Sequence, residues 1–135
     1  MDMSTINWWA VLVAAVSCFA VGGIWYAPAV FGKAWMRENK LTDADVQGGN
    51  MAKIFGLAFL CGLIASVNLA FFMNDPSIGV QEGAMYGFLT GFGWVGTFVG
   101  MHYLYEQKSF TLWLINAGYS TVALTLMGVI LGAWK

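Results

Sequence analysis

Four uncharged stretches, at residues 8–31, 54–73, 83–105 and 109–134, fill most of this 135-residue chain. A helix rises ~1.5 Å per residue, so ~20 apolar residues cross the ~30 Å hydrocarbon core of a bilayer. Each stretch is long enough, and nothing else in the chain constrains its fold as strongly. The expected fold class is all-α: an integral membrane antiparallel four-helix bundle. The expected spans are about 7–28, 52–73, 82–105 and 109–134, within a single transmembrane domain over residues 1–135.

Charged residues are only 10% of the chain and hydrophobic ones 59%. A soluble domain carries ~25% charged residues, so this chain lacks the polar surface to stay in water. Six Lys and Arg spread along the sequence make no dense basic patch, which excludes a nucleic-acid partner. Residues 1–7 contain no Lys or Arg, and the first apolar run outlasts a signal-length core. Ala15-Val16-Ser17-Cys18 resembles a lipoprotein cleavage site, but without a basic leader the run reads as a retained span. Cys18 and Cys61 both fall in apolar runs and read as small buried hydrophobes.

Basic residues set the orientation. Lys33, Arg37, Lys40 and Lys53 lie in the first connection and Lys108 in the third, against Lys135 alone on the other side. The positive-inside rule then puts those connections in the cytoplasm and both termini outside, in a bacterial inner membrane. Trp8 and Trp9 open the first span and Trp25 and Tyr26 close it; Trp113 and Trp134 mark the ends of the fourth. Such side chains favour the headgroup boundary, because one part is apolar and another hydrogen-bonds.

Pro28 should end the first helix. Beyond it Val30, Phe31, Ala34 and Trp35 share one helical face while Lys33, Arg37 and Glu38 point elsewhere, predicting a cytoplasmic surface helix at about 29–40. Thr42-Asp43-Ala44-Asp45 reads as a helix N-cap in preference to a metal site.

Lipid gives no hydrophobic drive between helices, so close packing needs small residues along one face. They recur at four-residue spacing: Ala10, Ala14, Cys18 and Gly22; Ala58, Gly62, Ser66 and Ala70; Gly83, Gly87 and Gly91, then Gly96 and Gly100; Gly128 and Gly132. A tight bundle is expected. Gly91-Phe92-Gly93-Trp94-Val95-Gly96 has two readings: close helix contact with Trp94 filling a gap, or a bent, locally unwound helix lining a pocket.

No Asp, Glu, Lys or Arg lies within a run, which argues against a carboxylate-coupled ion pump. Asn68 and Asn116 are the costliest side chains to bury there. They read as hydrogen-bonding glue between helices or, with Trp94 and His102, as contacts in a ligand pocket. His102 is the one histidine, so no bis-histidine haem or zinc site can form within one chain. With no nucleophile–base pair, phosphate loop or dinucleotide fingerprint, neither enzyme activity nor a cofactor nor a metal is expected.

Gly23-Ile24-Trp25-Tyr26-Ala27-Pro28, followed by Phe31-Gly32-Lys33-Ala34-Trp35-Met36, resembles a bacterial family of small integral membrane proteins, the domain of unknown function 1761 family. Asn50-Met51-Ala52-Lys53-Ile54-Phe55-Gly56 and Leu114-Ile115-Asn116-Ala117-Gly118-Tyr119 extend the resemblance over nearly the whole chain. It implies a four-span membrane protein and transfers no catalytic residue. A Trp25-Tyr26-x-Pro28 turn before Phe31-Gly32-Lys33-x-Trp35 is either an elbow docking the surface helix, or an aromatic vestibule where Lys33 and Arg37 attract headgroups or an anionic solute.

Two functions fit these expectations. One is binding or transport of a small uncharged or lipophilic molecule between helices. The alternative is a structural or accessory subunit that associates with another membrane complex or with lipid. A homodimer or other homo-oligomer is expected from the small-residue faces.

Overall fold

The computed structural model describes residues 3–135, and every regular element among them is helical. Helix α1 (Trp8–Trp25) starts where the Asn7 side chain accepts the backbone N–H groups of Trp9 and Ala10 at 3.1 and 3.2 Å. It stops before Pro28, because a residue preceding proline is pushed out of the helical region; Ala27 takes ψ 146°. A π-helical turn, Pro28–Gly32, swings the chain into α2 (Lys33–Asn39). Gly32 donates its N–H to the Ala27 carbonyl at 3.0 Å, and a side chain at Gly32 would run into the Tyr26 and Ala27 backbone. The elbow thus requires glycine there.

Helix α3 (Asp43–Gln47) opens on a reciprocal cap: Thr42 Oγ1 accepts Asp45 N–H at 3.1 Å and the Asp45 carboxylate accepts Thr42 N–H at 2.9 Å. Asn50 caps α4 (Met51–Phe72), and Ser109 caps α7 (Phe110–Ala133). Helices α1, α4 and α7 are each long and apolar enough to cross a membrane. At 1.5 Å per residue they run ~27, ~33 and ~36 Å.

The third apolar stretch is built differently. Helix α5 (Val80–Phe88), a π-helical segment Leu89–Gly96 and α6 (Thr97–Tyr105) follow one another without a gap. The Gly91–Gly96 region is therefore widened, not unwound. Hydroxyls and an indole take up carbonyls along the wider turns: Thr90 Oγ1 donates to Tyr86 at 2.9 Å, Thr97 Oγ1 to Gly93 at 2.8 Å, and Trp113 Nε1 to Gly96 at 2.9 Å. Side chains that take up carbonyls in this way lower the cost of leaving the regular α-helical ladder.

Packing is antiparallel and uneven. Helix α7 carries α1 on one flank and α5 with the π segment on the other, while α4 leans on α1 and meets α7 only slightly. Along α5–α7 the backbones nearly touch: a methyl at Gly83 would meet the Gly128 carbonyl, one at Gly87 the Leu124 carbonyl, and one at Gly91 the Ser120 carbonyl. The buried core lies at the end nearest both termini, where Ala10, Val11 and Ala14 meet Leu69, Ala70, Met73, Met127 and Leu131. The expected tight bundle is thus found among α1, α5 and α7, while α4 packs closely on α1 only at this end. Both cysteines are free; Cys18 is half-buried, but Cys61 faces outward, contrary to its expected burial.

The α4–α5 connection is fixed by Asp75, whose Oδ1 accepts Ser77 N–H at 2.9 Å and Ser77 O–H at 2.8 Å. These bonds hold its carboxyl below the usual carboxylate range. A lowered folded-state pKa stabilises above the unfolded value (~3.9) and is lost as pH falls through the lower folded one. Amide exchange at residues 75–79 should therefore accelerate selectively on acidification below about pH 4, measured by mass spectrometry.

Candidate functional site

The two segments that stand out in the sequence lock onto each other. Trp25 Nε1 donates to the Ile115 carbonyl at 2.8 Å, and its ring lies so close over Gly118 that a methyl there would come within 3.0 Å. The adjacent Tyr26 hydroxyl donates to Asn116 Oδ1 at 2.6 Å, and Asn116 Nδ2 donates to the Tyr103 hydroxyl at 2.5 Å. Tyr119 donates to the Cys18 carbonyl at 3.0 Å, across from Gly22. The Tyr26 ring stands edge-on to Tyr119 and to Trp35, with centroids 5.5 and 5.8 Å away. A single polar knot thus ties α1, α6 and α7 at the end away from the termini, and Trp35 brings α2 up against it.

Helix α4 has no part in that knot. It is pinned to α1 at the other end, where the fully buried Ser66 donates to the Val11 carbonyl at 2.8 Å. Gly62 still approaches Cys18, but farther along only the edges of Phe55 and Phe59 reach Phe19, at 5.9 and 6.2 Å between ring centres. The small-residue row Ala58, Gly62, Ser66 and Ala70 therefore holds contact over its second half only; Ser66 and Ala70 are buried and Ala58 is exposed. Two helices joined at one end and apart at the other leave a wedge.

That wedge is a cleft of about 530 Å³ lined by Cys18, Phe19, Gly22, Tyr26, Phe55, Phe59 and Tyr119 among others. It adjoins a groove of about 760 Å³ beneath α2 and α3, whose lining includes Trp35, Met36, Leu41, Asp43, Asp45 and Met51. Tyr26, Ile54 and Phe55 line both, so the two spaces are neighbours across these side chains. Each falls in the ~300–1,000 Å³ range of sites for small organic molecules.

The four residues expected to share a pocket are not brought together. Asn116 sits in the knot. Asn68 faces outward and satisfies its own helix, donating to the Ile64 carbonyl at 2.8 Å. Trp94 is 57% exposed and lies edge-on to Phe72 at 6.0 Å, and His102 is exposed. Of the vestibule residues, Trp25, Tyr26 and Trp35 gather at the elbow, with Phe31 4.8 Å from Trp25 between ring centres. Lys33 and Arg37 point away from it; Arg37 lies 3.7 Å from Glu38. Among the described residues, no three His, Cys, Asp or Glu side chains gather to hold a metal.

Sequence reasoning missed Tyr103 in the knot and Phe19 and Phe59 in the cleft, and it noticed Tyr119 and Phe55 only as members of family-like segments, with no role. The one available signal was the four-residue spacing of Phe55 and Phe59, which gives α4 an aromatic face towards α1.

The family model described as Protein of unknown function (DUF1761) matches residues 9–132, nearly the whole chain, and the chain belongs to that family. No curated protein and no solved structure matches it.

Proposed function

We propose that this member of a family of unknown function is a multi-pass membrane protein that binds, and passes between its helices, a small lipophilic molecule held in the wedge between α1 and α4. In this reading the chain crosses the bilayer four times, α5, the π segment and α6 together making the third crossing. The elbow and α2–α3 lie on the cytoplasmic face of a bacterial inner membrane, with both termini outside, as the distribution of basic residues indicates. A homodimer is the simplest assembly.

One observation carries the proposal. The cleft is apolar, of ligand size, and flanked by a rigid knot on one side and by a helix fastened at only one end on the other. A helix so fastened can open and close the space without disturbing the rest. Native mass spectrometry from mild detergent tests it: the protein should carry a retained small molecule, and Ala58→Trp, which fills the cleft from an exposed position, should lose it. Protein that emerges bare, or an adduct indifferent to Ala58→Trp, would reject the reading.

The accessory-subunit reading has its own support. Residues 51–58 of α4 are exposed on every side, a surface that a helix of a partner complex could cover. Crosslinking from Phe55 in intact membranes to one repeated protein partner would favour it.

A further inference from the structure

The groove under α2 and α3 differs from the cleft it adjoins in the chemistry of its rim. The deep part, between Phe19, Phe55 and Phe59, is lined mostly by apolar side chains and carries no charged group. The shallow part shares the Tyr26 ring with it and adds the Trp35 ring and the carboxylates of Asp43 and Asp45. The basic side chains nearby in sequence, Lys33, Arg37, Lys40 and Lys53, do not line it. Glu38 is occupied by Arg37.

The two carboxylates are not equivalent. Asp45 is committed to the Thr42 cap. Asp43 makes no hydrogen bond or ion pair among the described residues, and it stands on the groove lining. Two aromatic rings and a free carboxylate on the lining of one groove each attract positive charge, the rings through their quadrupoles and the carboxylate through an ion pair. Next to that mouth lies the largely apolar cleft, with Tyr26, Ile54 and Phe55 common to both. The combination fits a molecule with one positive end and a greasy body.

We propose that the groove selects an amphipathic organic cation, its positive group among Tyr26, Trp35 and Asp43 and its apolar body in the wedge between Phe19, Phe55 and Phe59. The proposal rests on the lipophile-binding reading above and narrows it to one class of charge. A neutral lipophile gains only the wedge, and an anion meets the carboxylates unfavourably. The cation alone gains both parts of the site.

Calorimetric titration of the full-length protein in mild detergent, with micelle-only titrations subtracted, separates the cases. Hexyltriphenylphosphonium, with a charged head and an alkyl tail, is the cationic probe, hexyltriphenylborate its size-matched anion and hexyldiphenylphosphine oxide a neutral analogue. The cation should bind tightest. Asp43→Asn, a change on an exposed turn that keeps the Thr42–Asp45 cap, should weaken it about fivefold and leave the neutral probe unchanged; Asp43→Lys should weaken the cation further. Ala58→Trp should abolish both. If the neutral probe or the borate binds as tightly as the phosphonium, or Asp43→Asn has no effect on a normally folded protein, selection for positive charge is wrong while the lipophile reading stands. If no probe binds, or Ala58→Trp changes nothing, both fall.

Discussion

Replacing Gly87 with leucine should drive α5 off α7 and cost about 3 kcal/mol of stability, the upper end of what overpacking usually costs. At Gly87 even a methyl would collide with the Leu124 carbonyl and come within 2.6 Å of the Thr125 Cα. Both obstacles are backbone, so no rotamer change can relieve them. Helix α7 cannot retreat freely either, because its opposite flank carries α1 through the Trp25–Ile115 and Tyr119–Cys18 bonds. Gly93 is the internal control. It lies in the same apolar stretch but faces open space, with nothing within 4 Å of an added methyl. Gly93→Ala should therefore be neutral or stabilising by a few tenths of a kcal/mol, since glycine is the poorer helix former. Unfolding midpoints in mild detergent, followed by circular dichroism, decide it. Equal effects at the two positions would mean that glycine acts through helix propensity and not through the α5–α7 contact.

The contrast between Gly87 and Gly93 also shows how far the sequence could be read. Both were visible as glycines in one apolar run. Which of them touches a neighbour depends on where α7 lies, and no local pattern records that. Helix positions were legible because ~20-residue apolar runs in lipid leave the backbone little alternative. Helices α1, α4 and α7 occupy the first, second and fourth apolar stretches, and each is long and apolar enough to cross a membrane. The elbow was legible too, since Pro28 removes a donor and constrains Ala27. The π segment was not. Its wider turns follow from Trp113 and the two threonines taking up carbonyls, a tertiary and side-chain effect. The wedge was hidden for a related reason. A row of small residues on α4 announces that a neighbour can approach, but Ala58 and Gly62 look the same in sequence as Ala70, although the neighbour has already diverged at Ala58. Asn116 was singled out as a buried amide in need of partners. Those partners proved to be two tyrosines, one of them 90 positions away.

Asn116→Leu should be the most damaging polar substitution in the chain, lowering stability by about 2–4 kcal/mol. Its amide receives the Tyr26 hydroxyl on one side and donates to the Tyr103 hydroxyl on the other, so a single change strands two phenols in a half-buried, apolar setting. Tyr26→Phe or Tyr103→Phe removes one bond each and should cost about 1 kcal/mol, in the range of hydrogen bonds between membrane helices. The double variant Tyr26→Phe/Tyr103→Phe should then be milder than Asn116→Leu alone, because it leaves one unpaired amide in place of two unpaired hydroxyls. The damage should also be local. Tyr26 supports Trp35 edge-on, and Trp35 seats α2 over the groove. Loss of the amide should therefore raise amide exchange across residues 33–47 and weaken the cation binding proposed for the groove, while the α5–α7 glycine contact stays closed. Uniform loosening of all the helices would mean that Asn116 holds up the whole molecule. Exchange unchanged at 33–47 would mean that Tyr26 is held by its ring contacts alone, and the groove would then owe its shape to the Pro28–Gly32 turn and not to the knot.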